Sequence, residues 1–442
     1  MSTEMAGEEL RADRVPVAPY YEPAYVALER EKLWPKVWLI ACREEEIPNV
    51  GDFVNFEIGV ESFLITRTGP NEVKSFYNVC RHRGRRLKDF QAGASPAGFT
   101  CPFHAWSWNV DGSVKEINQP DDWKGCPQFD EANLRLQETR IESWGGWYWI
   151  TMSPDIEPLL DYLGAVPEIM RNFELQDLRF AWYKTLHAPV NWKVVADAFN
   201  EGYHARGTHP QVGARLPWET LSKTHGKHSQ FWHPIPGAEP KPPAEPPVGV
   251  PAAIAFHEAL THTREMLRSL TSEHKVETAR QAIDALPADA SIVEVMTWVG
   301  QNHRRVLEAA GARWPADLTP EDIARAGTNW HIFPNTILLP SVDSVLWYRI
   351  RPHPTNPTEC FFDIWCLERY AEGKAPPIQR EFYEDFASFR GQNPFLEQDF
   401  GNLLAVQKGV QSRSFPAMRT NPVQESSVSN FHRVLHDYCT RS

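Results

Sequence analysis

The chain has 442 residues, 42% hydrophobic and 23% charged, with a formal net charge of −12. That length holds two or three domain-sized units, and the composition is that of an ordinary globular protein rather than a disordered or fibrous one. The acidic balance argues against a nucleic-acid footprint, no apolar run reaches the roughly 18 residues of a membrane span, and the polar opening MSTEMAGEELRADR lacks a secretory core, so a cytoplasmic location is expected.

In chain order, residues 1–50 are expected to form an N-terminal helical segment packed on the C-terminal domain, with a helix from about Glu22 to Val37 on the spacing of its apolar positions. Residues 51–153 carry short runs rich in Val, Ile, Phe, Tyr and Trp, such as DFVNFEI, SFLITRT and GGWYWIT, separated by turn signals such as GPN and DGS. That pattern predicts a small all-β domain. Residues 154–442 read as mixed, with strand-like TLHAPVNW running into a helix that begins near Lys193. The proline-dense stretch PIPGAEPKPPAEPPVGVP should be an exposed connector. It opens a helical insertion over about 234–325, either a surface elaboration or a lid. Strand signals return in TNWHIFPNTILLP, SVLWYRIRP and ECFFDIWCLERY, and helical ones in DFGNLLAVQKGVQSR. The fold class expected is α+β: an all-β domain inserted in or joined to a domain with a central antiparallel sheet flanked by helices.

Seven scattered cysteines are too few for a disulfide framework and read, near histidines, as metal ligands. Cys80 and His82 in CRHRG, with Cys101 and His104 in CPFHAW, give two thiolates and two imidazoles. Such a set can hold one zinc ion or a two-iron cluster. Each loop supplies one ligand of each type, which is what a Rieske [2Fe-2S] cluster requires, because the two irons are ligated differently. Arg81, Arg83, Arg85, Arg86 and Lys88 crowd the first loop. They are either a solvated basic loop or a docking patch for an acidic electron donor.

In NWKVVADAFNEGYHARGTHP, the offsets of Asp197, Glu201 and His204 place them on one face of a helix. His209 joins His204 only if the helix breaks, and Gly207 and Pro210 are suited to break it. Two histidines and one carboxylate make the facial triad of a non-haem Fe(II) oxygenase. Asp399 is the best distant candidate, with Asp343, Asp363 and Asp385 as rivals. His187, His225, His228, His233 and His331 are expected to be structural. Phe199, Tyr203, Trp330, Phe333, Leu338, Leu339 and Trp347 are candidates for a pocket lining or for ordinary core.

On these motifs, in this order, the chain resembles the α subunits of the Rieske non-haem iron oxygenases, the ring-hydroxylating family. The resemblance implies a Rieske domain at 51–153 with Cys80, His82, Cys101 and His104 on the cluster, and a catalytic domain at 154–442 with His204, His209 and Asp399 on mononuclear Fe(II). It places Glu201 as an acidic bridge from His204 to the cluster histidine, His104 of the partner subunit, and so implies a trimer, in some members with β subunits. Asp197 stands near the iron where asparagine is common, Glu201 where aspartate is, and Ala105 where glycine is. The implied activity is hydroxylation, dihydroxylation or oxidative dealkylation of an apolar, aromatic substrate by O2. Electrons would come from NAD(P)H through a separate flavin reductase or ferredoxin, since the chain has no glycine-rich dinucleotide fingerprint. The competing readings are a Rieske electron carrier without oxygenase chemistry and a zinc-stabilised interaction protein.

Overall fold

The computed structural model describes residues 10–213, 219–233 and 246–440, so most of the proline-dense connector lies outside the described residues. Two compact units are present: residues 27–162 form one, and the residues up to 26 together with those from 163 onward form the other. The boundary expected at residue 50 therefore moves. Strand Leu39–Arg43 is buried throughout and pairs with Trp147–Thr151, with Cys42 opposite Tyr148 and Leu39 opposite Ile150. This long-range pairing assigns the segment to the β unit. Helix Pro23–Lys32 is also shorter than expected, the chain passing into a 3-10 turn at Trp34–Lys36. Pro35 has no N–H with which to continue an α-helix.

Among the described residues of the β unit, seven strands form one antiparallel sheet in the order Leu39–Arg43, Trp147–Thr151, Glu138–Trp144, Glu72–Tyr77, Glu61–Gly69, Asp52–Ile58 and Ala92–Ala94. A second sheet holds Phe99–Thr100, Ser107–Trp108 and Val114–Glu116. The core between them joins Phe53, Leu64, Phe76, Phe99 and Trp108 to Cys80 and Cys101. The two thiols thus belong to the hydrophobic core, which fixes their loops.

Among the described residues, the other unit is built on an eight-stranded sheet, in the order Leu221–His225, His228–Trp232, Asn329–Ile332, Thr336–Leu339, Ser344–Pro352, Cys360–Glu368, Arg179–Ala188 and Arg380–Tyr383. Every pair is antiparallel except the last. With the all-β unit, this is the α+β architecture expected. Side chains alternate between the faces of a strand, so register separates two rows. One row runs Ser229, His331, Ile337, Tyr348, Ile364, Lys184, and the other Gln230, Trp330, Leu338, Trp347, Trp365, Tyr183. Helices Trp192–Ala198 and Ser426–Thr440 cover the first face, through Phe199 against Tyr348 and Phe431 against His331.

Among the described residues, the helical insertion holds a three-helix layer, Ala252–Leu267, Glu273–Ala285 and Ile292–Ala309, followed by the short helix Pro320–Ala326. Its core of Ala253, Ala279, Ala282, Val295 and Val299 uses small residues that let the helices approach closely. A buried network ties it to the sheet: Ser272 donates to Asp343, and His303 Nε2 lies 2.8 Å from Asp343 Oδ2.

His331 has a consequence for acid stability. Its Nε2–H donates to Pro334 O at 3.2 Å, and its buried Nδ1 has no hydrogen-bond partner among the described residues. Burial, with His228 and His432 nearby, pushes it down to about 3 from 6.5. Above pH 6.5 the imidazole is neutral in folded and unfolded chains alike and contributes no pH dependence. Below 6.5 only the unfolded chain takes up the proton, so stability falls by about 1.4 kcal/mol per pH unit until the folded group itself titrates. Urea midpoints measured from pH 7 to 4 are expected to fall less steeply in His331→Leu than in the parent; equal slopes would refute this.

Candidate metal centres

In the β unit, the Cys80 and Cys101 loops repeat one hydrogen-bond pattern. Gly84 N–H donates to Cys80 O at 3.0 Å and Ala105 N–H to Cys101 O at 3.1 Å, while Cys80 N–H donates to Arg85 O and Cys101 N–H to Trp106 O, both at 2.8 Å. The fifth residue of each loop has positive φ, +75° at Gly84 and +60° at Ala105. A Cβ is disfavoured there by roughly 1–2 kcal/mol. Allowing for glycine's greater chain entropy, Ala105→Gly is expected to stabilise the unit by about 0.5–1 kcal/mol, read as a higher thermal midpoint; a lower one would contradict the strain.

The two thiols are buried. Burial pushes the Cys80 thiol up, opposed by the N–H groups of His82 and Arg83, which favour a thiolate. His82 stacks on Trp106 at 4.7 Å, and its ring centre is 4.6 Å from that of His104. Trp123 meets His82 edge-on and stacks on Phe129. His82 Nδ1 is buried without a hydrogen-bond partner among the described residues. An orphaned imidazole nitrogen beside two buried thiols fits a metal cluster. His104 is partly exposed, next to an exposed Phe103 that lies under the Arg83 guanidinium. The basic segment is less available than its sequence implies: Arg85 pairs with Asp89, Arg86 with Glu57, and Arg81 donates to Asn133 O.

In the second unit, helix Trp192–Ala198 starts at Asn191, whose side chain accepts Lys193 N–H at 2.8 Å. It does not continue through Glu201 to His204 as the spacing predicts. Asn329 Nδ2–H donates to Phe199 O, and Ser427 Oγ–H donates to Asn200 O, both at 2.5 Å. These carbonyls are thereby turned away from the next helical turn. The chain re-enters helix only at Ala205–Thr208. The chain thus breaks once before His204, and again at His209 as expected, where a non-helical residue separates Ala205–Thr208 from Pro210–Gly213.

The broken geometry brings His204, His209 and Asp399 together, with one donor atom from each lying within 4.8 Å of the others. Asp399 comes from helix Pro394–Gly409. Its Oδ1 is 3.1 Å from His209 Nε2 and 3.6 Å from His204 Nε2, and its buried Oδ2 has no partner among the described residues. Two imidazoles and a desolvated carboxylate with an orphaned oxygen fit the facial-triad donor set. Glu201 Oε1 lies 2.6 Å from His204 Nδ1, and Glu201 Oε2 accepts His204 N–H. Burial would lower the His204 pKa, but Glu201, with Asp399 and Glu425, overrides it and raises it. On the other ring, Gln398 Oε1 lies 2.7 Å from His209 Nδ1, and Phe395 stacks on the imidazole at 3.9 Å. Sequence reasoning missed Gln398 and Phe395. Their only signal was membership of the same helix as Asp399.

The rival carboxylates are engaged elsewhere. Asp363 projects to the far face of the sheet, held to about 2 against burial by Arg349 and Arg351. Asp343 takes Ser272 and His303, and Asp385 accepts the Ser388 N–H. Asp197 is not in the metal-capable group; it receives the Tyr20 hydroxyl, with His432 Nε2 2.9 Å from its Oδ1. Among the proposed pocket residues, Trp330, Leu338 and Trp347 are buried in the far-face row, and Tyr203 is 51% exposed. Phe199 instead packs with Tyr348 and Phe362, which share its face. A second histidine–carboxylate group, His187, His353 and Glu359, has ligand-like spacing. There, however, His353 Nδ1 accepts Asn356 N–H at 2.9 Å, which puts the ring proton on Nε2 and makes that nitrogen a donor rather than a ligand.

Residues 37–130 match the Rieske [2Fe-2S] domain family, and residues 175–441 the ring hydroxylating alpha subunit (catalytic domain) family. The chain is 32% identical over 196 residues to the anthranilate 1,2-dioxygenase large subunit of Acinetobacter baylyi, covering 43% of this chain and 41% of that protein. It is 30% identical over 213 residues to the carnitine monooxygenase oxygenase subunit of Escherichia coli, covering 47% and 56%. The chain thus spans about half the length of the curated relatives it matches. In fold it is similar to a quaternary ammonium Rieske monooxygenase crystallised with L-carnitine (17% identity, 96% and 95% of the two chains, TM-score 0.64). It is likewise similar to naphthalene 1,2-dioxygenase from Rhodococcus sp. bound to indole (18% identity, 96% and 94%, TM-score 0.62). With the catalytic-domain family matched over more than half its length and a Rieske domain before it, the chain belongs to the ring-hydroxylating α-subunit family, whose two domains imply a [2Fe-2S] cluster and a mononuclear iron.

Proposed function

We propose that the chain is the terminal oxygenase component of an electron-transfer system, taking electrons from a separate NAD(P)H-dependent flavin reductase or ferredoxin and using O2 to oxidise a small organic substrate. The observation that carries this reading is the presence in one chain of the Cys80, His82, Cys101 and His104 loops and the His204, His209 and Asp399 group. When bound, the cluster supplies one-electron storage and the mononuclear iron supplies O2 activation. The protein's part is geometric: buried loops hold the thiolates, Glu201 holds the Nδ1 proton of His204, and the buried cluster of Phe199, Tyr348 and Phe362 meets the site through Tyr348, which feels the charge of Asp399.

Purified under anaerobic conditions, the chain is expected to carry about three irons, two of them with Rieske spectroscopic signatures. Zinc alone would sink the proposal in favour of an interaction protein. Unimpaired function in His204→Ala would favour a simple electron carrier.

For the substrate, we propose a quaternary ammonium compound in preference to the aromatic one expected from sequence. The names of the carnitine and glycine betaine relatives support this class. So does Tyr348, which feels the charge of Asp399 and packs with Phe199 and Phe362, since ring faces attract such cations. Product analysis with a reconstituted reductase, across betaine, carnitine, anthranilate and naphthalene, tests it; turnover of the ring compounds alone would reverse the preference. We further propose a homotrimer in which Glu201 bridges His204 to His104 of the partner subunit.

A further inference from the structure

The two histidines of the mononuclear site are held by chemically different partners. His204 Nδ1 faces a carboxylate, Glu201, whereas His209 Nδ1 faces a neutral amide, Gln398. Gln398 Oε1 also receives the Gln211 Nε2–H at 2.8 Å, a donor independent of His209 that turns the amide oxygen toward the imidazole. The opposite orientation would point an N–H at His209 Nδ1, move the ring proton to Nε2, and remove the lone pair that faces Asp399. Helix Pro394–Gly409 therefore delivers three things to one imidazole: the Phe395 ring against its face, the Gln398 oxygen on its Nδ1–H, and the Asp399 carboxylate beside its Nε2.

We propose that Gln398 is a positioning residue that locks His209 in the Nδ1–H tautomer and thereby sets the metal affinity of the site. The proposal rests on reading His204, His209 and Asp399 as a metal site. The neutrality of the amide matters as well. A carboxylate at 398 would add a second negative charge beside the buried Asp399, whereas the amide gives the same acceptor without it.

The test uses the full chain stripped of mononuclear metal and titrated anaerobically with Fe(II), with Co(II) as a spectroscopic probe. Gln398→Leu is expected to weaken Fe(II) binding about 10–100-fold, the usual range for losing such a partner. The 15N signals of His209 should shift toward a tautomer mixture, while Gln398→Asn, which keeps an amide oxygen, should recover part of the affinity. His209→Ala serves as the reference. If His209→Ala abolishes binding and Gln398→Leu leaves both affinity and tautomer unchanged, the positioning role is wrong and the metal site stands. If His209→Ala also leaves Fe(II) binding unchanged, the metal-site reading itself has failed. A Gln398→Leu variant that loses thermal stability but keeps parental affinity would mark the residue as merely structural and overturn the proposal.

Discussion

Asp399→Ala is expected to reduce the iron content from about three per chain to about two, with the cluster spectrum unchanged, and to lower product formation by at least about 10³-fold. Asp399 is the only carboxylate grouped with His204 and His209 among the described residues, and its Oδ2 is buried without a partner. Removing it leaves two imidazoles, too few donors to hold Fe(II) in a facial site. The charge also matters, because two neutral ligands offset none of the metal's charge in a desolvated site. Asp363→Asn is the informative control. It strips the buried charge from Arg349 and Arg351 and is expected to destabilise the fold by about 3–5 kcal/mol. Whatever folds should keep its full iron. Loss of iron in Asp363→Asn at parental stability, or retention of three irons in Asp399→Ala, would break the assignment.

The parts of the site that could be read from sequence were those whose geometry is local. Cys80 with His82, and Cys101 with His104, are each confined to a single tight loop, so residue type and spacing carry the arrangement. Even the left-handed position is visible as Gly84, though its equivalent at Ala105 is masked by the alanine. His204 and His209 were legible as a pair, but the course of the chain between Ala198 and His204 was not. The donors that divert it come from Asn329 and Ser427, far away in sequence. Asp399 was the best distant candidate, but only the family resemblance separated it firmly from Asp363 and Asp343, because nothing near those residues reveals which sheet face they occupy. Face assignment depends on strand register, and register also removed Trp330, Leu338 and Trp347 from the expected pocket while bringing in Tyr348 and Phe362. The domain boundary failed for a related reason: Leu39–Arg43 finds its partner strand only at Trp147–Thr151. The docking patch read from five basic residues lost much of its force once Asp89 and Glu57 were found beside Arg85 and Arg86.

Glu201 carries the second large effect. Both of its oxygens are committed to His204, one to the ring and one to the backbone N–H, and the residue is only 7% exposed. If it were solely an orienting group, Glu201→Gln should be nearly harmless, since the amide oxygen can still accept from Nδ1–H. If it also links His204 electrically to the cluster of a partner subunit, the loss of charge should slow transfer even with the ring in place. The proposed bridge therefore predicts a graded outcome. Glu201→Gln should keep its iron, its cluster spectrum and its reduction by donor, yet show cluster reoxidation slowed by about 10–100-fold with substrate and O2 present. Glu201→Ala should lose about 10³-fold or more and some mononuclear iron as well, since His204 is then unheld. Rapid-mixing measurement of cluster reoxidation separates the two roles, because it follows the electron after the cluster has been reduced. A parental rate in Glu201→Gln would leave Glu201 as a holder of His204 and nothing more, and the case for a trimer built on that bridge would lose its chemical basis.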